Sequence, residues 1–252
     1  ARALLPAVRF IPARPLAKSL SLQKMFGTFY AYDAVFSRFL ARSGYYQSGG
    51  AYGFRDQLQD AILLFYSDRR RALAHIFRAA AHQFPEGDVL HWWHAPDDRG
   101  VRTRCSDDLL WLVYACVEYA DLFGELSFLD TKIPYLDGEP LSPEKAEEYR
   151  AFHKSALREP LYFHCLRALK RTLSLRGKHG LCKIGSCDWC DGYSLVGSGG
   201  EGESVWVSQF AVLLLERFAA IGEKRGGKET ADALLDGARS LRTAIEKYGY
   251  DE

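Results

Sequence analysis

The spacing of the apolar residues constrains this fold more than anything else in the chain. From Ser204 to Ile221 they follow one another almost without a break, as in a helix buried on most sides. From Glu229 to Tyr248 they recur every three or four residues, the period of an α-helix with one buried face. The same period runs through Ser19 to Ser43, Arg55 to Tyr66, Asp68 to Phe84, Leu109 to Phe123 and Leu161 to Leu175. Asp68 stands where an N-cap is needed, and Ser106 or Asp107 does the same for the helix that follows. Nowhere does an alternating pattern persist between hairpin turns. The pattern predicts an all-α protein of stacked helical hairpins, with long glycine-rich loops converging on one face. Residues 1–18 carry Pro6, Pro12 and Pro15 and read as an extended lead-in segment to one helical domain over 19–252.

Composition narrows the function by exclusion. A net charge of +1 offers no footprint for nucleic acid and no funnel for acidic substrates. Six cysteines among 252 residues do not make a disulfide scaffold, and no signal-peptide pattern is present. No apolar run approaches the ~20 residues that cross a bilayer. These features predict a soluble, cytoplasmic protein with no transmembrane segment. The absence of an initiator Met, and an end that falls directly after a helical pattern, read as a fragment of a longer protein.

Chemistry concentrates in the loop from Gly177 to Gly202, where His179, Cys182, Cys187 and Cys190 are interleaved with Asp188, Trp189, Asp191, eight glycines and three serines. Two readings compete for it. The spacing His-x2-Cys-x4-Cys-x2-Cys suits a small tetrahedral zinc site. Alternatively, Trp189 is a platform for a sugar ring and Asp191 a proton donor, its neutral form favoured by a water-poor pocket beside the indole. Upstream, the glycine-rich Gly49 to Gly53 leads into Arg55, Asp56 and Asp60, the two acids sharing one helix face at i,i+4. His91 and His94 are a further candidate metal pair, whereas Asp107 and Asp108 suit a helix N-terminus. Cys105, Cys116 and Cys165 behave as small buried apolar residues.

Five motifs then occur in one order: Gly49 to Asp60, His91-Trp92-Trp93-His94, Gly100 to Leu112, Asp188-Trp189-Cys190-Asp191-Gly192 and Gly202 to Trp206. In that order they resemble the catalytic part of glycoside hydrolase family 94, which holds cellobiose, cellodextrin and chitobiose phosphorylases and the phosphorylase-like end of cyclic β-1,2-glucan synthases. Tyr45 to Gly50 looks most like the β-1,2-glucan branch. The resemblance implies an (α/α)6 barrel and inverting phosphorolysis of a β-linked gluco-oligosaccharide, with inorganic phosphate as co-substrate and no cofactor. It places the general acid on Asp191, the sugar subsite on Trp189, hydroxyl contacts on Arg55, Asp56 and Asp60, and a phosphate contact on Arg42. A homodimer is also implied. Here Cys187 and Cys190 stand where the family carries glycine and asparagine. The family's N-terminal β-sandwich and its C-terminal phosphate-binding helices lie outside residues 1–252. Two other expectations therefore stand beside the phosphorylase: a non-catalytic carbohydrate-binding or structural fragment, and the zinc-binding module.

Overall fold

A computed structural model describes residues 50–250. The predicted lead-in segment 1–18, the predicted helix Ser19 to Ser43, and Arg42 lie outside the described residues. A short strand β1 (Tyr52–Gly53) runs into α1 (Phe54–Leu63), a 3-10 turn (Leu64–Tyr66) and α2 (Arg69–Ala80). Asp68 caps α2 as predicted, its carboxylate accepting from the Arg71 N–H at 3.0 Å. Strands β2 (Leu90–His94) and β3 (Arg99–Thr103) precede α3 (Asp108–Phe123), which ends at Gly124 in the left-handed conformation, φ +66°. Three further strands follow, β4 (Lys132–Asp137), β5 (Glu147–Ala151) and β6 (His153–Pro160), then α4 (Leu161–Ser174). The chain closes with β7 (Cys182–Lys183), β8 (Glu203–Ser204), α5 (Val205–Lys224) and α6 (Lys228–Tyr248).

This architecture overturns the all-α expectation and the (α/α)6 barrel with it. The described residues form six α-helices together with three small antiparallel sheets, a mixed α/β arrangement and not a ring of helical hairpins. One sheet has the order β1-β2-β3-β5, and β4–β6 and β7–β8 are two-stranded. The physical reason lies in stretches that carry too little alternation to announce themselves. The polar-aromatic stretch His91 to Gly100 satisfies its backbone as the β2–β3 hairpin, with Trp93 opposite Gly100 and His94 opposite Arg99. A register shift between Leu90 and Trp92 breaks the period of two that would have marked β2. The connector after Gly124 contains β4, whose pairing with β6 shifts at Pro134, a residue with no N–H to give.

The helices form the core beneath these sheets. α3 packs on α1, α2, α4 and α5, burying Leu110, Leu112, Val113 and Val117 completely. α5 and α6 form an antiparallel hairpin, since Gly222 near the end of one faces Ala231 at the start of the other, and Val205 faces Gly249. Contrary to the sequence expectation, α5 is long and apolar enough to cross a bilayer by length and composition. Here it is a core helix. Of its most apolar 18-residue stretch 56% is buried, with Leu214, Leu215 and Phe218 fully enclosed. Burying each of those side chains stabilises the fold by roughly 1.5–3 kcal/mol.

The long loop between α4 and α5 is stitched to this frame at several points. Ile184 N donates to Gly202 O at 2.9 Å, Ser186 N to Arg104 O at 3.2 Å, and Ser106 N to Cys187 O at 2.9 Å. Gly185 bridges Cys105 in a left-handed conformation, φ +64°, where a Cβ would overlap the carbonyl oxygen of Arg104. Only glycine permits that approach. The result is that residues 187–191 are held against the junction of β3 and α3.

Candidate active site

The site is built on one buried cation. Arg55, in the first turn of α1, has a side chain only 7% exposed. Its Nη1 donates to both carboxylate oxygens of Asp107, at 3.1 and 3.4 Å, and to the Asp188 carbonyl at 3.0 Å. Its Nη2 donates to the carboxylate of Asp191. One guanidinium fork thus joins α1, the start of α3 and the central loop. Burial works against its charge, but Asp107 and Asp108 beside it raise its pKa further and hold it ionised.

Asp107 and Asp108 do more than cap α3. Asp107 occupies the N-cap position without a side-chain capping bond. Its carboxylate, fully buried, instead takes Arg55, the Trp111 indole N–H at 2.8 Å and the Cys105 thiol at 3.2 Å. Burial and the charge of Asp108 push its pKa up to about 6, against the pull of Arg55. Asp108 accepts from His91 Nδ1 at 2.7 Å. Burial opposes the charge on His91, but Asp108 outweighs it and raises the imidazole to about 9. His91 is therefore a second cation near the cluster at neutral pH.

Asp188 fixes the turn that follows. Its buried carboxylate accepts from Cys190 N at 3.0 Å and from Ser204 Oγ at 2.8 Å. Ser204 in turn caps α5 by accepting from Val207 N at 3.1 Å. The start of a core helix and the turn carrying Asp191 are thereby one rigid unit. Beyond that turn, Trp189 is 54% exposed, and Tyr193, Leu195 and Val196 are exposed as well.

The structure brings two of the predicted residues, Arg55 and Asp191, into contact, with Trp189 two positions from the acid. Among the described residues the water-poor pocket expected around Asp191 does not form, its side chain being 64% exposed. Asp56 folds its carboxylate over Gly53 at the start of α1, where a Cβ would collide with it, and Asp60 follows one turn later. Arg55 ties α1 to the loop through the Asp188 carbonyl and the Asp191 carboxylate. Residues that sequence reasoning left in other roles, Asp107, Asp108, His91, Asp188 and Ser204, supply the frame. Nothing local in the sequence pairs them with Arg55, since Asp107 lies 52 residues away and Asp188 lies 133 away.

The zinc reading is corrected by the same geometry. His179 Nδ1 lies 2.6 Å from Glu203 Oε2 and its N–H donates to the same carboxylate. Cys182 is buried in β7, its N–H donating to Ser208 Oγ at 2.8 Å. Cys187 turns to Cys105, the two sulfurs 2.9 Å apart. The four residues of the expected knuckle do not converge. His91 pairs with Asp108 and His94 packs its ring edge on Trp92, so that pair does not converge either. Donors of Cys105, Cys187 and Asp191, and of His91, Cys105 and Asp108, do lie within 4.8 Å of one another. The Arg55 guanidinium sits among them, bonded to Asp191 and 3.8 Å from the Cys105 sulfur. A cleft lined by Arg104, Pro140, Lys145, Lys183 and Ser198 has none of Arg55, Trp189 and Asp191 on its wall.

An exposed carboxyl two residues after an exposed indole, the carboxyl held by a buried guanidinium, suits a neutral, hydroxylated, ring-faced ligand. Comparison with known proteins agrees with a carbohydrate-active class. Residues 17–252 match the family described as the glycosyl hydrolase 94 superfamily, catalytic domain, and the chain belongs to that family. It is 39% identical over 223 residues to the cyclic beta-(1,2)-glucan synthase NdvB of Rhizobium meliloti, covering 87% of this chain and 8% of that protein. It is 27% identical over 248 residues to the N,N'-diacetylchitobiose phosphorylase of Vibrio furnissii, 86% of this chain and 28% of the relative. It is 28% identical over 200 residues to the solabiose phosphorylase of Paenibacillus borealis, 79% of this chain and 23% of the relative. The chain thus spans well under a third of the length of each of these relatives.

Proposed function

We propose that this domain takes part in inverting phosphorolysis of β-linked gluco-oligosaccharides, with Asp191 as general acid. The observation that carries this reading is the Asp191 carboxyl, open to solvent, two residues after exposed Trp189 and anchored by buried Arg55. A group that hands a proton to an incoming substrate has to be reachable, and has to be held still while it does so. In the reaction an oxygen of inorganic phosphate bonds to the anomeric carbon as the bond from that carbon to the bridging oxygen breaks. Asp191 delivers its proton to the departing oxygen, and the proton that phosphate gives up restores the acid. Phosphate is already a nucleophile, so no second carboxylate base is needed, unlike the hydrolytic pair. Neither a metal nor an organic cofactor has a part in this scheme.

Trp189 offers its face to the transferred sugar, and Asp56, with Asp60 behind it, accepts from sugar hydroxyls. Arg55 is a positioning residue, since its guanidinium is enclosed and already engaged with Asp107, Asp188 and Asp191. Arg42 is the candidate phosphate contact. The relatives named as phosphorylases support the reaction class, and the glucan synthase supports β-1,2-linked glucose as the first substrate to try.

The test is Asp191→Asn in the full-length protein, incubated with phosphate and either a β-1,2-linked glucose disaccharide or cello-oligosaccharides. Release of sugar 1-phosphate by the wild type and its loss in the folded variant is the expected result. Retained turnover in Asp191→Asn removes the acid from this role. Binding of the sugar by the wild type without any phosphorolysis points instead to a carbohydrate-binding domain.

A further inference from the structure

We propose that Cys105 and Cys187 are a peroxide-oxidisable thiol pair that closes as a disulfide next to Asp191. Three features of the structure support this. The sulfurs are 2.9 Å apart in the reduced protein, and a disulfide bond needs only a further contraction to about 2.05 Å. The backbones that carry them are already tied together, through the Cys105–Gly185 bridge and the Ser106 N–H on the Cys187 carbonyl. No search by a mobile loop is required. Finally, Cys187 keeps 8% of its surface exposed and Cys105 6%, and Cys187 Sγ lies 3.9 Å from the exposed Asp191 carboxylate.

The surroundings also select oxidation over metal binding. Cys105, Cys187 and Asp191 offer three donors here, but Arg55 already takes Asp107, Asp191 and the Asp188 carbonyl, and a dication would have to displace a buried guanidinium. The charge of His91 favours a thiolate on Cys187, against burial and the charges of Asp108 and Asp191. The hydrogen bond between the two sulfurs pushes Cys105 up and Cys187 down, and the charge of His91 lowers Cys187 further. Cys187 is therefore the sulfur that ionises first. A second thiol pair provides a contrast within the same molecule. Cys116 and Cys165 are hydrogen-bonded neighbours between α3 and α4, both fully enclosed, and burial pushes Cys116 well up.

The chemistry balances with one hydroperoxide. The Cys187 thiolate attacks one oxygen of hydrogen peroxide, the O–O bond breaks, and the departing hydroxide takes a proton to become water. Cys187 is then a sulfenic acid. The Cys105 thiol loses its proton, attacks the Cys187 sulfur and displaces the hydroxyl as a second water. Two thiols are oxidised by two electrons and one peroxide is reduced. The new bond removes the thiol proton that faces Asp107 and pins the start of the turn carrying Asp191. Any effect on turnover rests on the reading of Asp191 given above, whereas bond formation does not.

The experiment is peptide mapping of the native protein after brief treatment with hydrogen peroxide and alkylation of the remaining thiols. The expected result is one linked pair of peptides holding Cys105 and Cys187, absent after dithiothreitol, with Cys116 and Cys165 still alkylated once the protein is unfolded. In Cys105→Ser, Cys187 should instead be captured as a sulfenic acid by a 1,3-dione probe. The idea is overturned if no such link forms, if Cys187 joins Cys190 instead, or if Cys116 and Cys165 oxidise as readily. Because mapping needs no substrate, a protein that links these cysteines yet releases no sugar 1-phosphate would overturn the phosphorylase reading alone.

Discussion

Replacing Arg55 by methionine tests the frame of the site most sharply. The substitution keeps much of the aliphatic stem but removes a guanidinium that bridges Asp107, the Asp188 carbonyl and Asp191. Asp107 has no exposure at all, so its charge would be left with only the Trp111 N–H and the Cys105 thiol. Breaking one side of a buried ion pair costs about 3–5 kcal/mol, far more than the pair contributes relative to an apolar replacement. Losing Asp191, which is largely exposed, adds little to stability. With a urea slope of roughly 2–3 kcal/mol/M for a domain of this size, the unfolding midpoint should fall by more than about 1 M. The control is Arg55→Met combined with Asp107→Asn, which removes the stranded charge and should return at least about 2 kcal/mol. Equilibrium urea unfolding followed by tryptophan fluorescence reads both. If Arg55→Met unfolds within about 1 kcal/mol of wild type, or the double variant is no more stable than the single one, Arg55 is not the centre of the cluster.

Two other predictions follow from the same geometry. His91 titrates at about 9 in the folded protein and 6.5 when unfolded, so its stabilising contribution is complete below 6.5 and is lost as the pH rises through 9. That difference corresponds to about 3 kcal/mol, and urea unfolding between pH 6 and pH 10 should show a decline that His91→Gln removes. A slope unchanged in the variant rules out His91 as its source. Gly185→Ala, at φ +64° and against the Arg104 carbonyl, should cost at least about 2 kcal/mol, while Gly200→Ala, at φ +76° with open space around it, should cost about 1 kcal/mol. Equal thermal shifts in the two variants would mean that the loop is not pinned at Gly185.

The helices were legible because each buries one face or most of its surface, and a period of 3.6 records that burial in the residue order. α2 begins behind the predicted cap, and α5 and α6 fall within a few residues of the expected spans. The strands were not legible. β5 and β6 contain no buried residue, so neither face is marked apolar, and β2 carries a register shift. In the site, the ordered motifs picked out Arg55, Trp189 and Asp191, but the partners that explain them are remote in sequence. Asp107 looks like a helix cap because capping is a local pattern, whereas its actual partner Arg55 is 52 residues away. The cysteines mislead for the same reason. Their spacing along the loop suggests a knuckle, and the sulfur that Cys187 meets belongs to a residue 82 positions earlier.

The central claim is that Asp191 donates the proton to the leaving oxygen, and leaving-group dependence tests it most directly. The full-length wild type and Asp191→Asn should be compared on a β-linked gluco-oligosaccharide and on an aryl β-glucoside whose phenolate departs without protonation. General acid catalysis contributes on the order of 10²–10⁴-fold, so the variant should lose that factor on the oligosaccharide and little on the activated glucoside. Equal losses on both substrates, or none on either, would contradict the assignment of Asp191 as the acid.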